Sequence, residues 1–429
     1  MLLQFTVANF KSFMERTTLS LEATSDDWLE EDNVVHLKKP DLRLVRAAAI
    51  YGPNAGGKSN LIDALTTFRS LVLGSSKDSQ QGESLPVVPF RLSAKTEKEP
   101  TFFEAIFLKD ETRYRYGFEA TANAVISEWL FRQKDSIRET CLFTREAKTI
   151  TSKEAFREGK GLEQRTRSNA LFLSVVAQFN GEISGEVVEH IANCRVITGL
   201  EDAGYMSFTA GLLDDNVYGR QIRDLVRNAD FGIENVKRQD IDRETYLASI
   251  PKSLPQPVRD MLAHDSSGAT TILAVHQKFN AKGKAVGTVE FDFAGEEESA
   301  GTRQFLALAG PFLHTLREGS VLVVDELDAR LHPNLTKRLV SLFNSSANQK
   351  NAQLIFATHD QGLLNQRRIR RDQIWFAEKN SLGASELFSL AQIPGVRKDS
   401  NFEKEYLLGQ FGGVPNLAGF PKVIFNGEK

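Results

Sequence analysis

One break in pattern constrains this chain more than any other feature. The run Leu44 to Gly52 (LVRAAAIYG) reads as a buried strand, and Asn60 to Val72 (NLIDALTTFRSLV) carries apolar residues at helical spacing. Between them Gly52-Pro53-Asn54-Ala55-Gly56-Gly57-Lys58-Ser59 fits the pattern G-x-x-x-x-G-K-[ST]. Glycines at these positions let backbone N–H groups turn inward around phosphate oxygens, and the following helix adds the positive end of its dipole. In such a loop Lys58 would neutralise the β- and γ-phosphates and the Ser59 hydroxyl would ligate Mg²⁺. The bland alternative is a glycine-rich turn that happens to carry Lys-Ser, and the strand and helix on either side argue against it.

The remaining chain supplies the sheet this unit needs. Leu2 to Phe10 and Thr18 to Glu22 alternate as strands, and PVVPFRL, TFFEAIFL, RYRYGFEA and AVISEWLFR follow as a strand series. From about Arg145 to Ser267 alternation fades and helical windows appear at EVVEHIANCRV, GRQIRDLVRNA and PQPVRDMLAH. Strands return at TTILAVHQKF and AVGTVEFDF, joined by the turn NAKGK, after which helix and strand alternate to the end. The reading is an α/β fold with three parts. Residues 1–144 form an amino-terminal lobe with the phosphate loop and an antiparallel meander, 145–267 an inserted, mainly helical domain, and 268–429 a carboxyl-terminal lobe on a largely parallel sheet.

Composition narrows the setting. Lys plus Arg number 53 against 56 Asp plus Glu, so a net charge of −3 gives no global drive toward nucleic acid or anionic membrane. The one basic run, Arg367, Arg368, Arg370 and Arg371, could meet phosphates of DNA or tRNA, but a solvated loop or partner-facing charge is the favoured reading. Two cysteines, Cys141 and Cys194, make neither a disulfide framework nor a four-sulfur metal site. The opening MLLQFTVANFKSF has no basic run before a long apolar core, and no stretch reaches the roughly 20 apolar residues that span a bilayer. A soluble cytoplasmic protein is expected.

Two further strands end in chemistry. Val321-Leu322-Val323-Val324 runs into Asp325 and Glu326, at the strand end where ligands sit in open α/β sheets. Asp325 is suited to hold Mg²⁺ through water and Glu326 to polarise the attacking water. Leu354 to Ala357 runs into Thr358-His359-Asp360, which would bring His359 beside a γ-phosphate. A lone histidine is usually structural or merely exposed, and that reading is kept for His36, His190, His264, His276 and His314.

Together these residues resemble the ATP-binding-cassette type of P-loop ATPase, in the branch that includes SMC and OLD proteins. Leu327 to Pro333 (LDARLHP) looks like that superfamily's D-loop, and Glu298 to Gln304 (ESAGTRQ) like its signature, though shorter than the Leu-Ser-Gly-Gly-Gln form. The resemblance implies that Ser299 and Gly301 complete the nucleotide site of an opposing subunit in a head-to-head dimer. It also implies that Lys11 and Ser12, within Asn9-Phe10-Lys11-Ser12-Phe13, lie close to nucleotide, as does Asn60 beside the loop. Gln80 and Gln81 fall in the general stretch of the Q-loop, with no pattern to single either out.

A closer resemblance adds EWLF, RRDQIWFAEK, GASELFSL and VRKDSNFEKEYLLGQFGGVP to these motifs. The set is similar to bacterial ABC-like ATPases carried under the AAA label, including RloA-like, PARIS-type and abortive-infection ATPases of phage defence. What it implies is an ATPase using ATP and Mg²⁺, a homodimer or higher oligomer through its heads, and a partner nuclease or toxin as effector. The alternative is an SMC-like DNA-binding or repair clamp, which the balanced charge, the short insertion and the lack of a long heptad pattern disfavour. A transporter ATPase would need a partner permease, and the carboxyl-terminal motifs separate the chain from that class.

Overall fold

In the computed structural model of the protein, residues 1–415 are described, apart from 79, 135–137, 201–202, 242–243, 245–269, 294, 296 and 366. The chain divides into two compact units. The first comprises Met1–Thr198, Glu318–Leu327 and the chain from Lys337 onward; the second comprises Gly199–Arg317 and Asp328–Thr336.

The first unit opens with β1 (Leu2–Ala8) and β2 (Thr17–Ser20), a short helix α1 (Glu30–Asn33), the hairpin β3 (Val34–Lys38) and β4 (Asp41–Val45), and then β5 (Ala47–Tyr51). Helix α2 (Lys58–Gly74) follows the phosphate loop. The meander β6 (Thr101–Lys109), β7 (Thr112–Ala120), β8 (Val125–Gln133), β9 (Thr140–Glu146) and β10 (Thr149–Ser152) comes next, and then α3 (Phe172–Gln178), α4 (Glu182–Ala192) and β11 (Cys194–Thr198). The second unit holds α5 (Ala203–Leu212), α6 (Tyr218–Arg227), β12 (Ile233–Asp240), β13 (Thr270–Phe279), β14 (Ala285–Asp292) and most of α7 (Ala300–Glu318). The chain then runs through β15 (Val321–Asp325), α8 (Pro333–Phe343), β16 (Gln353–Ala357), β17 (Ile374–Lys379), β18 (Ser385–Ser389) and α9 (Phe402–Leu407).

Two large sheets build the first unit beside the two-stranded β3–β4. One has seven strands, all antiparallel, in the order β10-β9-β8-β7-β6-β1-β2. The other has the order β11-β15-β16-β5-β17-β18, and every neighbouring pair is parallel except β17 with β18. β5 and β16 are buried along their whole length, as parallel strands covered on both faces must be. Phenylalanine, present 29 times, fills the core under α2: Phe68 stacks on Phe118 at 5.7 Å between centroids and meets Phe5 edge-on at 5.7 Å.

The second unit has its own core, where Ile222 and Val226 of α6 join Val236, Ile272 and Ala274 of the sheet β12-β13-β14 and Leu306 and Ala309 of α7. Pro311 inside α7 cannot donate to the carbonyl of Ala307. The Thr209 hydroxyl of α5 donates to that carbonyl instead, at 3.0 Å, and accepts from Gly310 N–H at 3.1 Å.

The structure differs from the sequence reading in four respects. PVVPFRL is not a strand, because Pro86 and Pro89 have no N–H for a ladder; its carbonyls still accept, as where Lys11 N–H in the turn after β1 donates to Val88 O at 2.7 Å. CRVIT at 194–198 leaves helical windows altogether and forms β11, the edge of the parallel sheet. The second compact unit does not coincide with the expected insertion at 145–267: α3 and α4 bury Phe172, Val176, Val187 and Ile191 in the first unit's core, and the second unit carries three strands. PQPVRDMLAH and His264 lie outside the described residues.

The arginine run is the fourth. Arg370 is 1% exposed, donates to both carboxylate oxygens of Asp372 at 2.9 and 2.7 Å, and reaches the carbonyls of Asp26 and Trp28. Arg371 pairs with Asp26 and the Val396 carbonyl. Arg370 and Arg371 tie chain segments together rather than facing a nucleic acid or a solvated loop, while Arg367 and Arg368 are exposed. Removing one partner of a buried ion pair leaves the other uncompensated, so Arg370→Ala should cost about 3–5 kcal/mol in urea unfolding. A loss below about 1 kcal/mol would match an exposed pair instead.

Candidate active site

The sheet order brings the predicted chemistry into one row. β15, β16 and β5 are adjacent and parallel, so Asp325-Glu326, His359 and the phosphate loop all follow the carboxyl ends of neighbouring strands. Backbone bonds continue the row beyond the strands: Leu327 N–H donates to Ala357 O at 3.0 Å, and Thr358 N–H to Ile50 O at 3.2 Å.

The phosphate loop is bracketed by backbone. A Cβ at Gly52, whose φ is +151°, would lie 2.1 Å from Ala377 O of β17, and one at Gly56 would lie 2.5 Å from the same atom. No side chain fits at either position. Ala55 takes a left-handed φ of 64° in the tip, where Asn54 and Ala55 are exposed and Pro53 half-buried. Lys58 is buried, and its Nζ donates to the carbonyls of Gly52 at 2.9 Å and Pro53 at 3.2 Å. The ammonium is thereby held over the loop by two of its backbone carbonyls.

Ser59 is exposed at the first turn of α2 and donates to the Asp325 carboxylate. Asp325 Oδ1 is buried and has no hydrogen-bond partner. Burial holds this carboxyl above its ordinary 3.8, and the neighbouring Asp63 charge adds to that, against the pull of Ser59 and Lys58. A partly desolvated carboxylate oxygen without a donor, beside a hydroxyl, fits a hard divalent cation such as Mg²⁺. Among the described residues no group of three or more His, Cys, Asp or Glu side chains could hold a metal, so phosphate and water would have to complete such a shell.

Glu326 follows Asp325 with a left-handed φ of 51°, an uncommon conformation for a glutamate and one found at functional sites. His359 is exposed two residues beyond β16.

The amino-terminal motif meets the first turns of α2. Asn9 is buried and braces the turn, donating to the carbonyls of Thr96 and Glu99 and accepting from Phe90 N–H. Lys11 pairs with Asp63 of α2 at 2.6 Å, with both groups partly exposed. Ser12 is buried, and its Oγ accepts from Asn60 Nδ2 at 2.7 Å, so the Asn60 amide is directed to Ser12. Asp63, Ala377 and Ser385 are site residues that the sequence reading did not single out.

In the second unit, Ser299 caps α7: its Oγ accepts from Thr302 N–H at 3.1 Å, and the residue is exposed. A Cβ on Gly301 would lie 2.6 Å from the carbonyl of Arg330, itself at φ 63° in the D-loop-like segment. Glu298, buried just before Ser299, meets His276 Nε2 at 2.5 Å, and the other ring nitrogen faces Gly232 O at 3.0 Å. His276 thus fixes the residue ahead of the signature-like helix. Nothing in sequence marked that pairing, since it depends on the register of β13. Gln80 and Gln81 lie in an exposed loop.

A parallel sheet with a glycine-bracketed phosphate loop and an acidic strand end beside it defines an ABC-like P-loop ATPase. More particularly, the chain belongs to the family described as "AAA domain, putative AbiEii toxin, Type IV TA system", whose model matches residues 47–365. Similar solved structures include the "SMC head domain from Thermotoga maritima" (TM-score 0.40, 13% identity, covering 90% of this chain and 98% of that one). An SMC head bound to the C-terminal winged-helix domain of ScpA is another (0.44, 13%, 90% and 97%), as is the recombination mediator RecF (0.29, 12%, 90% and 98%). No curated protein matches the chain.

A carboxyl held above its unfolded value contributes stability that is complete below the unfolded pKa and is lost as pH rises through the folded one. Asp325→Asn should therefore raise the melting temperature of the ligand-free protein at neutral pH. The gain should shrink as pH falls toward 3.8, and the thermal shift given by Mg²⁺ with ATP should drop. Calorimetry across pH, with and without Mg·ATP, checks both signs.

Proposed function

We propose that the protein binds and hydrolyses ATP with Mg²⁺ at sites completed by a second copy in a head-to-head dimer. The closure and opening of that dimer would control a partner nuclease or toxin in anti-phage defence. The observation that carries the ATPase reading is the row of Lys58-Ser59, Asp325-Glu326 and His359 at the ends of three adjacent parallel strands. The family's description as a putative toxin-system domain supports the defence setting.

In this reading the loop N–H groups and Lys58 hold the β- and γ-phosphates, and Ser59 and Asp325 hold Mg²⁺. The metal, when bound, would screen phosphate charge. Glu326 accepts a proton from water as its oxygen attacks the γ-phosphorus and the bond to the β-phosphate oxygen breaks. His359 donates a hydrogen bond to the transferring phosphoryl group. Ser299 and the N–H groups around Gly301, at the start of α7, contact the same phosphate from the opposing subunit. Lys11 lies at the rim of the site and exchanges Asp63 for phosphate, and Ser12 acts from beneath it through Asn60. A γ-phosphate touched by two subunits makes the triphosphate, and not the diphosphate, the bridge between them, and this differential affinity drives the switch. No helix among the described residues is long and apolar enough to cross a membrane.

Glu326→Gln should keep ATP affinity within a few-fold while turnover falls by roughly 10²–10⁴, and light scattering with ATP should find a persistent dimer. Unchanged turnover would overturn the assignment. Lys58→Ala should lose ATP binding in the same assays. Co-purification with the product of the neighbouring gene, with and without ATP, tests the effector; ATP-dependent binding of duplex DNA by the isolated protein would favour the clamp instead.

A further inference from the structure

Ser385, on β18 at the edge of the parallel sheet, is 3% exposed and touches the phosphate loop from behind. Its Oγ lies 2.7 Å from Gly56 O and 2.8 Å from Ser12 Oγ, and its N–H donates to Ser12 O at 2.7 Å. A hydroxyl has one proton, and the Gly56 carbonyl can only accept. Ser385 donates to the Gly56 carbonyl, the shorter of the two contacts, and the same hydroxyl is directed at Ser12 Oγ as well. Ser12 in turn accepts from Asn60 Nδ2. The result is a hydrogen-bonded cluster of Asn60, Ser12, Ser385 and Gly56 that joins three chain segments, the turn at Ser12, the phosphate loop with the start of α2, and β18, the arrangement in which neighbouring bonds polarise one another.

The Gly56 end of this cluster matters because of peptide geometry. In a planar trans peptide the C=O and N–H point in opposite directions. Holding Gly56 O toward Ser385 turns the Gly57 N–H the other way, into the cradle formed at the start of α2. Gly57 is also the residue whose Cβ would lie 2.3 Å from Ser385 Oγ, so glycine there and serine on β18 fit as a pair.

We infer that Ser385 is a positioning residue for the nucleotide: its hydroxyl locks the Gly56–Gly57 peptide with the N–H directed at the phosphates. This rests on the P-loop reading above. The bond preorganises the loop for ground state and transition state alike, so its loss appears in affinity more than in turnover.

The test uses the full-length protein, with Mg·ATP affinity from displacement of a fluorescent ATP analogue, kcat and KM, and the melting temperature without ligand. Ser385→Ala should weaken Mg·ATP about tenfold, one hydrogen bond's worth, with kcat at saturation within about twofold. Ser385→Cys keeps the volume with a weaker donor and should fall between Ala and the parent; it serves also if the alanine variant does not fold. Ser389→Ala, which removes another buried hydroxyl from β18, bonded to Arg371 O and Ala391 N–H, should lower the melting temperature and leave affinity unchanged. Parental affinity in both Ser385 variants, or an equal loss in Ser389→Ala, overturns the inference. Lys58→Ala separates the two readings: if it binds Mg·ATP normally the P-loop reading itself fails, whereas loss in Lys58→Ala with none at Ser385 overturns only this inference.

Discussion

The architecture of the site depends on backbone lying directly against backbone. Gly52 and Gly56 leave no room for a Cβ because the carbonyl of Ala377 is there, and Gly57 leaves none because of Ser385. The phosphate loop is thus cast against the hairpin β17–β18 rather than closed by its own residues. That contact gives the far end of the chain a role at its first motif. Tyr51, just before the loop, packs edge-on against Tyr406 of α9 at 5.8 Å, and Tyr406 stacks on Phe376 of β17 at 5.4 Å. The turn after α9 is anchored where Gly413 N–H donates to Glu378 and the Tyr406 hydroxyl donates to Gly413 O. A surround this determined can hold Ala55 and Glu326 at positive φ, conformations that would relax in a loose loop.

The electrostatics of the site follow the same logic. Asp325 is carried on a buried strand to a place where its charge is poorly solvated and one oxygen lacks a donor, and Lys58 is folded onto carbonyls of the loop it leaves. Both groups are costly to keep in a dry environment, and a metal–phosphate ligand would satisfy both at once. Elsewhere the chain uses charge as a clamp. Arg370, Asp372 and the carbonyls around Asp26 hold an early loop to the strand β17 on which the phosphate loop rests. A net charge of −3 conceals that distinction, because it counts a buried arginine and a solvated one alike.

The strand and helix around the phosphate loop and the strand ending at Asp325 were legible because their patterns are local: a glycine-rich break between an apolar run and a helical period, and an apolar run ending in carboxylates. The strand series and the turn at Asn280 to Lys284 were legible from alternation and turn chemistry. PVVPFRL misled because its apolar pattern is that of a strand while its prolines remove the donors, and CRVIT because a short apolar run after a helix has no period of its own. Lys11 and Ser12 were singled out through the resemblance, but their partners, Asp63 for one and Asn60 and Ser385 for the other, depend on the fold.

By itself the sequence determined that a phosphate loop sits between a buried strand and a helix, and that two carboxylates end another buried strand. These are short-range patterns in which each residue's neighbours in sequence are its neighbours in space. Only the tertiary structure decided that β15, β16 and β5 stand side by side, that α3 and α4 belong to the first unit, and that Ser385, more than three hundred residues from Gly56, supports its carbonyl. Strand order and register are set by which apolar faces bury together across the whole chain, and a hydrogen bond between distant residues exists only once that order is fixed.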